Sequence, residues 1–424
     1  MIRKILVPAL LLLSLVTFAQ QGTSSPYSFY GIGDIRFKGT AENRLMGGVS
    51  VFTDSIHINL QNPASYSSLK LTSFTVGGSF NSSKFTSLSG TEKAQRSTLD
   101  YIAVGIPMGK FGAAFGLIPY SSVGYRVRTE GPGFIDGNTD AVNIIRKYRG
   151  EGGLNKAFAG VSYSFTKTFS VGADINYNFG KIETTNIFFA PGITELGTQE
   201  YDSSELSGFN FNIGAMYQRK VMKKYDFYSG ITFSPKSNLK TNNSRVIGSI
   251  TYIEETTSSG MDFLDTQSSK ETLKMPSKFS FGVGFGQTKK WLVGAEVTLL
   301  QNSSFQNRFS DITNATFENS KKYSLGGYFV PNYNSFSNYF SKITYRAGVR
   351  YENTGLVINN ESIKDYAFSA GFGLPLGGTF SNLNVGVELG RRGTAKALLV
   401  EENYANVIMS FSLNDKWFIK RRYD

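Results

Sequence analysis

The sequence predicts an all-β fold: a transmembrane antiparallel β-barrel of the outer-membrane type, with about 14 strands and an N-terminal hatch in its lumen. Three observations predict it. Apolar and small polar residues alternate with period two along most of the chain, aromatic residues and Gly replace charged ones, and an export signal is followed by no other apolar run of helix length.

The first element is that signal. Arg3 and Lys4 precede the apolar run from Ile5 to Val16, and Thr17, Phe18 and Ala19 lead to Gln20. This is a Sec signal peptide over residues 1–19, cut after Ala19; the apolar run falls short of the ~20 residues that span a bilayer. No Cys follows the cut, so the chain is no lipoprotein. The formal charge of +12 falls to +10 once Arg3 and Lys4 are removed. The exported chain is then either soluble or a barrel of the outer membrane.

Residues 20–67 come next. They hold Gly-, Asn- and Ser-rich turns, no clean alternation, and apolar residues from Tyr27 to Val51 that need a surface to pack on. Fourteen strands at ~4.8 Å spacing and ~40° tilt enclose a lumen roughly 28 Å across, backbone to backbone. Side chains of the wall do not fill that width, so residues 20–67 are the plug and 68–424 the barrel.

Alternation then marks the wall. Phe169, Val171, Ala173, Ile175, Tyr177 and Phe179 interleave with Ser170, Gly172, Asp174, Asn176, Asn178 and Gly180. The pattern recurs around Phe211, Phe281 and Phe368, and the polar face is Gly, Ser, Asn and Thr where a soluble sandwich carries Lys and Glu. Strand centres fall at Val76, Val104, Phe115, Val161, Ala173, Phe211, Ile231, Val283, Ala295, Leu325, Ala347, Ala370, Val387 and Met409. Connections alternate in length. Short ones lie at Gly109, Lys167, Lys223, Gln287, Ser337 and Gly378; long ones include Ser82 to Thr98, Val123 to Gly153, Lys181 to Leu206 and Leu239 to Met275. Short periplasmic turns and long outer loops are the barrel pattern, with both ends of the wall in the periplasm.

Composition excludes much chemistry. Aromatics are 14% of the 424 residues and charged residues 18%, below the ~25% of ordinary domains. Without Cys, and with His57 as the single His, thiolate sites, a cysteine nucleophile and multi-histidine metal sites are excluded. His57 has no G-x-S-x-G context, so it reads as structural, and no catalytic residue, metal or cofactor is expected. Gly282, Gly284 and Gly286 have the period of a barrel interior, not of a phosphate loop. The basic Arg219-Lys220 and Lys223-Lys224 fall on a periplasmic turn and imply no nucleic acid.

Within the plug stand Ser25-Pro26-Tyr27-Ser28-Phe29-Tyr30-Gly31-Ile32-Gly33-Asp34, then Met46-Gly47-Gly48-Val49, then Asn62-Pro63-Ala64-Ser65. This resembles the hatch of FadL-like outer-membrane transport proteins, whose Gly-rich stretch and Asn-Pro-Ala element precede a fourteen-stranded barrel. Ser25-Pro26-Tyr27-Ser28 and the closing Trp417-Phe418-Ile419-Lys420-Arg421 look like the Bacteroidetes-type branch. The final strand, Tyr404 to Leu413, resembles a barrel-insertion signal, although the chain runs on to Asp424 instead of ending on an aromatic. The resemblance implies Gly47, Gly48, Asn62, Pro63 and Ala64 as hatch residues, uptake of hydrophobic molecules such as fatty acids, and a side opening at a kink in the third strand. That strand holds Pro119, which lacks a ladder donor; it either kinks the wall there or ends the strand at the outer rim.

Extended alternation turns Asp174, Glu296, Arg346, Arg350 and Glu388 toward the lumen, since a charge facing lipid costs ~2 to 4 kcal/mol near the midplane. Arg346 and Arg350 share a face about 13 Å apart. The five either pair with hatch charges Asp34, Arg36, Lys38, Arg44 and Asp54, the favoured role, or form a basic surface for a carboxylate head group. Two functions follow. One is an outer-membrane channel for small hydrophobic compounds; the other is a non-transporting barrel that serves as a subunit of a secretion or barrel-assembly complex. Expected partners are outer-membrane lipid, a hydrophobic ligand, and other outer-membrane proteins or lipoproteins.

Overall fold

A computed structural model describes residues 22–133, 141–191, 196–251, 261–309, 312, 314–335, 337–377 and 380–416. The expected signal peptide, residues 1–19, and the Trp417-Phe418 end lie outside the described residues.

Fourteen strands form the wall: β1 (Thr72–Ser87), β2 (Gly90–Met108), β3 (Phe111–Gly133), β4 (Val142–Ser164), β5 (Phe169–Phe189) and β6 (Leu196–Val221) come first. Two interrupted strands follow, β7 (Tyr225–Ser234 and Ser237–Thr251) and β8 (Met261–Met275 and Lys278–Gln287). The circuit is completed by β9 (Trp291–Leu300), β10 (Ser320–Phe329), β11 (Thr344–Ile358), β12 (Glu361–Pro375), β13 (Asn382–Arg392) and β14 (Glu401–Asp415). Every strand centre read from the alternation lies within its strand. Neighbours pair antiparallel, and β14 closes on β1 from Asp415↔Thr72 to Glu401↔Thr86, so no free edge remains there. Pro235 and Pro276 interrupt β7 and β8 at one height, where Ser237 pairs with Met275 and Ser234 with Lys278.

The outward faces carry the apolar band. Phe209, Phe211 and Ile213 on β6, Phe279, Phe281 and Phe285 on β8, and Phe368 and Phe372 on β12 are exposed, while their neighbours turn inward. No described helix is long and apolar enough to cross a membrane; the strands supply the apolar surface.

Height is uneven around the barrel. β3, β4 and β6 have 23, 23 and 26 residues, whereas β9 and β10 have 10 each. At ~3.3 Å per residue, a contour of about 76 Å for β3 far exceeds what a ~25 Å apolar band needs even with tilt. The expected long loops Ser82 to Thr98, Val123 to Gly153, Lys181 to Leu206 and Leu239 to Met275 are therefore largely strand continuations. Their alternation is weak because, beyond the membrane, both faces of a strand meet water. The expected short connection at Ser337 is longer than the other turns, spanning 330–343 with a 3-10 turn at Phe340–Lys342.

The hatch runs inside this wall through a 3-10 turn (Pro26–Phe29), a two-residue strand (Asp34–Ile35), one α-helical turn (Ala41–Arg44) and a second 3-10 turn (Pro63–Ser68). Its apolar residues bury against the inner wall: Ile58, Leu60, Tyr66 and Leu69 meet Tyr101, Ala114 and Phe158, while Met46, Val49, Val51 and Phe52 meet Tyr228 and Leu292. Such burial is the main stabilisation of a segment with so little regular structure.

Candidate functional site between hatch and wall

The hatch residues seat the plug. Asn62 is buried, its side-chain oxygen accepts from Ala64 N–H at 3.1 Å, and its amide donates to the carbonyls of Ala215 and Ile231 on the wall. Asn62 thus caps the turn that Pro63 begins and ties it to β6 and β7. Gly47 has φ +67° and lies between the backbones of β10 and β11, where a Cβ would sit 2.6 Å from the Val349 carbonyl oxygen. Its N–H donates to Ser369 Oγ at 3.1 Å. Gly48 follows with φ +90°.

At Pro119 the wall changes partner. The β2–β3 ladder runs from Met108↔Phe111 to Ile102↔Leu117 and stops, although β3 continues to Gly133 paired with β4. The β3–β4 register shifts between Pro119 and Ser121. The edge that β2 leaves is taken by the hatch: Asp34 and Ile35 pair with Ser122 and Ser121, and Arg36 N–H donates to the Tyr120 carbonyl at 3.0 Å. The Arg36 guanidinium then reaches β2, donating to Thr98 Oγ1 at 2.7 Å and Asp100 Oδ1 at 3.1 Å. A segment of the plug therefore bridges two wall strands that have parted. Beside it lies a cavity of about 230 Å³, lined by Tyr27, Phe37, Tyr120 and Phe305 and by Arg36 and Asp100.

The lumen charges fall into separate groups. Glu388 accepts from Arg44 Nη2 at 3.0 Å, and Arg44 also meets Asp100 at 3.3 Å. Glu296 accepts from both the N–H and the Oγ of Ser50 at 2.8 Å. Asp174 accepts from the Tyr66 hydroxyl at 3.0 Å and the Asn212 amide at 3.3 Å. These three carboxylates meet the hatch. Arg350 instead pairs across the wall with Asp365 at 2.9 Å and Tyr404, and Arg346 donates to Asn384 at 2.8 Å. Arg346 and Arg350 share a face of β11 but no partner.

Strict alternation misses Asp100. A bulge opposite Gly77 and Gly78 turns Asp100 and Tyr101 inward together, so one carboxylate binds Arg36 and Arg44 while the neighbouring hydroxyl accepts from Ala41 N–H at 3.0 Å. The signal was the Gly77-Gly78 pair and an Asp within an apolar run. Arg392, which binds Asp34 at 2.6 Å, was also missed because it lies beyond the apolar band where alternation fades.

Inside the hatch, His57 Nδ1 is 2.8 Å from Asp54 and its Nε2 is 3.5 Å from Glu42. Burial opposes its charge, but the two carboxylates prevail and hold its pKa above the usual 6.5. Asp54 is pulled down to about 2, burial opposing and His57 outweighing it. No group of three or more His, Cys, Asp or Glu among the described residues is placed to hold a metal.

A closed fourteen-strand antiparallel barrel with an apolar outer band and an ordered plug defines the outer-membrane-type, plugged β-barrel class. Solved structures of this architecture are similar at low identity. They include the monoaromatic hydrocarbon channel CymD (13% identity, TM-score 0.57, 89% of this chain and 98% of that one) and the Ralstonia pickettii toluene transporter TbuX (14%, 0.58, 89% and 99%). A Pseudomonas aeruginosa FadL homologue is a third (13%, 0.58, 90% and 98%). At such identities the likeness is one of fold. No curated protein matches the sequence. The match to the BamG family spans residues 1–424, and the chain belongs to that family.

Proposed function

We propose that this protein is an outer-membrane channel for small hydrophobic, fatty-acid-like compounds, reached by Sec export after removal of residues 1–19, in a Bacteroidetes-type bacterium. The observation that carries the reading is the parted β2–β3 ladder beside a cavity that the hatch lines. An apolar molecule entering the cavity has a sideways route between wall strands into lipid, with Pro119 holding the strands apart and Arg36 bridging them. The fold shared with proteins described as hydrocarbon channels and toluene transporters supports it.

The test is uptake of a labelled hydrophobic substrate by cells carrying Pro119→Ala. Restoring a backbone donor lets the β2–β3 ladder extend, so uptake falls severalfold while the folded barrel is retained. Undiminished uptake counts against the sideways route.

Membership of the BamG family favours a second reading, a barrel that serves as a subunit of an outer-membrane secretion or barrel-assembly complex. Apolar side chains at the rims support it: Leu398, Phe263 and Leu264 stand exposed at the tall rim and Met222 at the turn rim. Recovery of the tagged barrel in mild detergent separates the two. A stoichiometric protein partner favours the subunit, and co-purified lipid without a partner favours the channel.

A further inference from the structure

The outward face of the wall is not uniform at the end of the apolar band away from the short turns. Three consecutive strands carry a tyrosine at one height: Tyr323 of β10 pairs with Tyr351 of β11, and Tyr351 with Tyr366 of β12. Their ring centres are 6.2 Å and 5.0 Å apart. The row ends on Arg391 of β13, the ladder partner of Tyr366. Amphipathic rings at the end of an apolar band mark the level of the lipid head groups. Below this row, Leu325, Val349, Phe368 and Leu389 pair in succession across the same four strands and stand exposed. The two rows line an open groove of about 840 Å³ on the lipid side of the wall.

Cations stand at the upper edge of the groove. One step above the tyrosines, on the same face, Lys321 pairs with Asn353 and Asn353 with Lys364, so an amide occupies the position between two lysines. Arg391 pairs with Tyr366, two residues along β12 from Lys364. Such diagonal neighbours lie ~7 to 8 Å apart, within reach of one another's long side chains. The one ion pair of these three cations among the described residues joins Arg391 Nη2 to Glu401 at 2.5 Å, and Glu401 also accepts from the Asn403 amide at 3.0 Å. Arg391 remains exposed, and a guanidinium has N–H donors beyond the one that Glu401 takes. Strands β5 and β6 are built differently. There Tyr177, Phe179 and Phe209 end the band, and Lys181, the next outward residue of β5, binds Glu183 at 2.7 Å and lies opposite Glu205. The cation above the aromatic level is answered by acids on that side; on β10 to β13 three cations meet one carboxylate.

We propose that this groove and its cations form a binding site for one phosphorylated lipid of the outer leaflet. An acyl chain lies along Leu325, Val349, Phe368 and Leu389 beneath the tyrosines, and the phosphate sits between Lys364 and Arg391 with Lys321 beside it. Charge complementarity selects an anionic head group, and the hydrocarbon that bathes the groove floor selects a lipid over a soluble anion. The site lies outside the lumen and depends on neither the channel nor the subunit reading.

Native mass spectrometry of the full-length barrel in non-ionic detergent tests it, with dioleoyl phosphatidate and dioleoyl phosphatidylcholine added at equal concentration. The two probes share their chains and differ in head-group charge. The native barrel retains one phosphatidate at least tenfold better than phosphatidylcholine. Lys364→Gln/Arg391→Gln removes that preference, and Lys181→Gln leaves it unchanged. Val349→Trp, which fills the groove floor, lowers phosphatidate retention severalfold with every cation in place. Folding is read from heat-modifiable gel mobility; if the double variant fails to fold, Lys364→Gln alone, at an exposed position, loses severalfold. Equal retention of the two lipids, retention of neither, or a preference unchanged in the folded cation variants overturns the site. Crosslinking of a co-purified protein to a photoreactive residue substituted for Val349 assigns the groove to protein docking and overturns it as well.

Discussion

The hatch meets the barrel in two different ways. Toward the turn rim the contact is close and largely apolar: Gly112 lies against the Tyr66 backbone, Gly172 against Pro63 and Gly326 against Met46. Toward the tall rim the contact is ionic, through Asp34–Arg392, Arg36–Asp100 and Arg44–Glu388, and it bridges strands that no longer pair. A close-packed seat without side-chain volume to spare has one geometry. Ion pairs between side chains can exchange partners while the backbones stay in place. The hatch is thus anchored at one end and latched at the other.

The largest expected effect breaks the anchor. A Cβ at Gly112 would stand 2.1 Å from the Tyr66 carbonyl oxygen, so Gly112→Val costs on the order of 3 kcal/mol or more and shifts the denaturant midpoint of the whole barrel. If this variant unfolds at the native midpoint, the seat is looser than its geometry states.

The latch comes next. Arg44→Met leaves Asp100 with Arg36 but strips Glu388 of the cation it pairs with, and leaving that buried carboxylate without one costs about 3 kcal/mol. Because the anchor persists, the loss appears as protease cleavage within residues 22–48 of a barrel that still shows heat-modifiable mobility. Simultaneous loss of both would mean that anchor and latch are one unit.

Glu296→Gln has a smaller effect, about 1 kcal/mol, because an amide oxygen still accepts from Ser50 where the carboxylate did so with charge. Chemical denaturation of the refolded variant reads it.

The smallest effect depends on pH. The native pKa of His57 is raised above 6.5, so its pairing with Asp54 and Glu42 stabilises the hatch fully below about pH 6.5. That contribution is lost as pH climbs through the raised native value. His57→Gln should abolish the dependence over that range, and its persistence would assign the titration elsewhere.

Much of this architecture was legible in the residues, for an identifiable reason. Lipid on one side of a wall and a small-residue lumen on the other write period two into every spanning strand, so Val76 through Met409 mark fourteen strands. The same alternation puts Asp174, Glu296 and Glu388 inside. Where that asymmetry of solvent ends, the signal ends with it: the tall continuations of β3, β4 and β6 read as loops because water bathes both faces. Asp100 was hidden by a bulge that breaks the count.

The sequence by itself thus determined the strand number, the direction of each spanning face and the presence of a plug, since these depend on local periodicity and composition. Only the tertiary structure decided which charges meet. It set Arg36 against Asp100 and gave the edge beyond Leu117 to the hatch, because barrel closure fixes distances that no local pattern encodes.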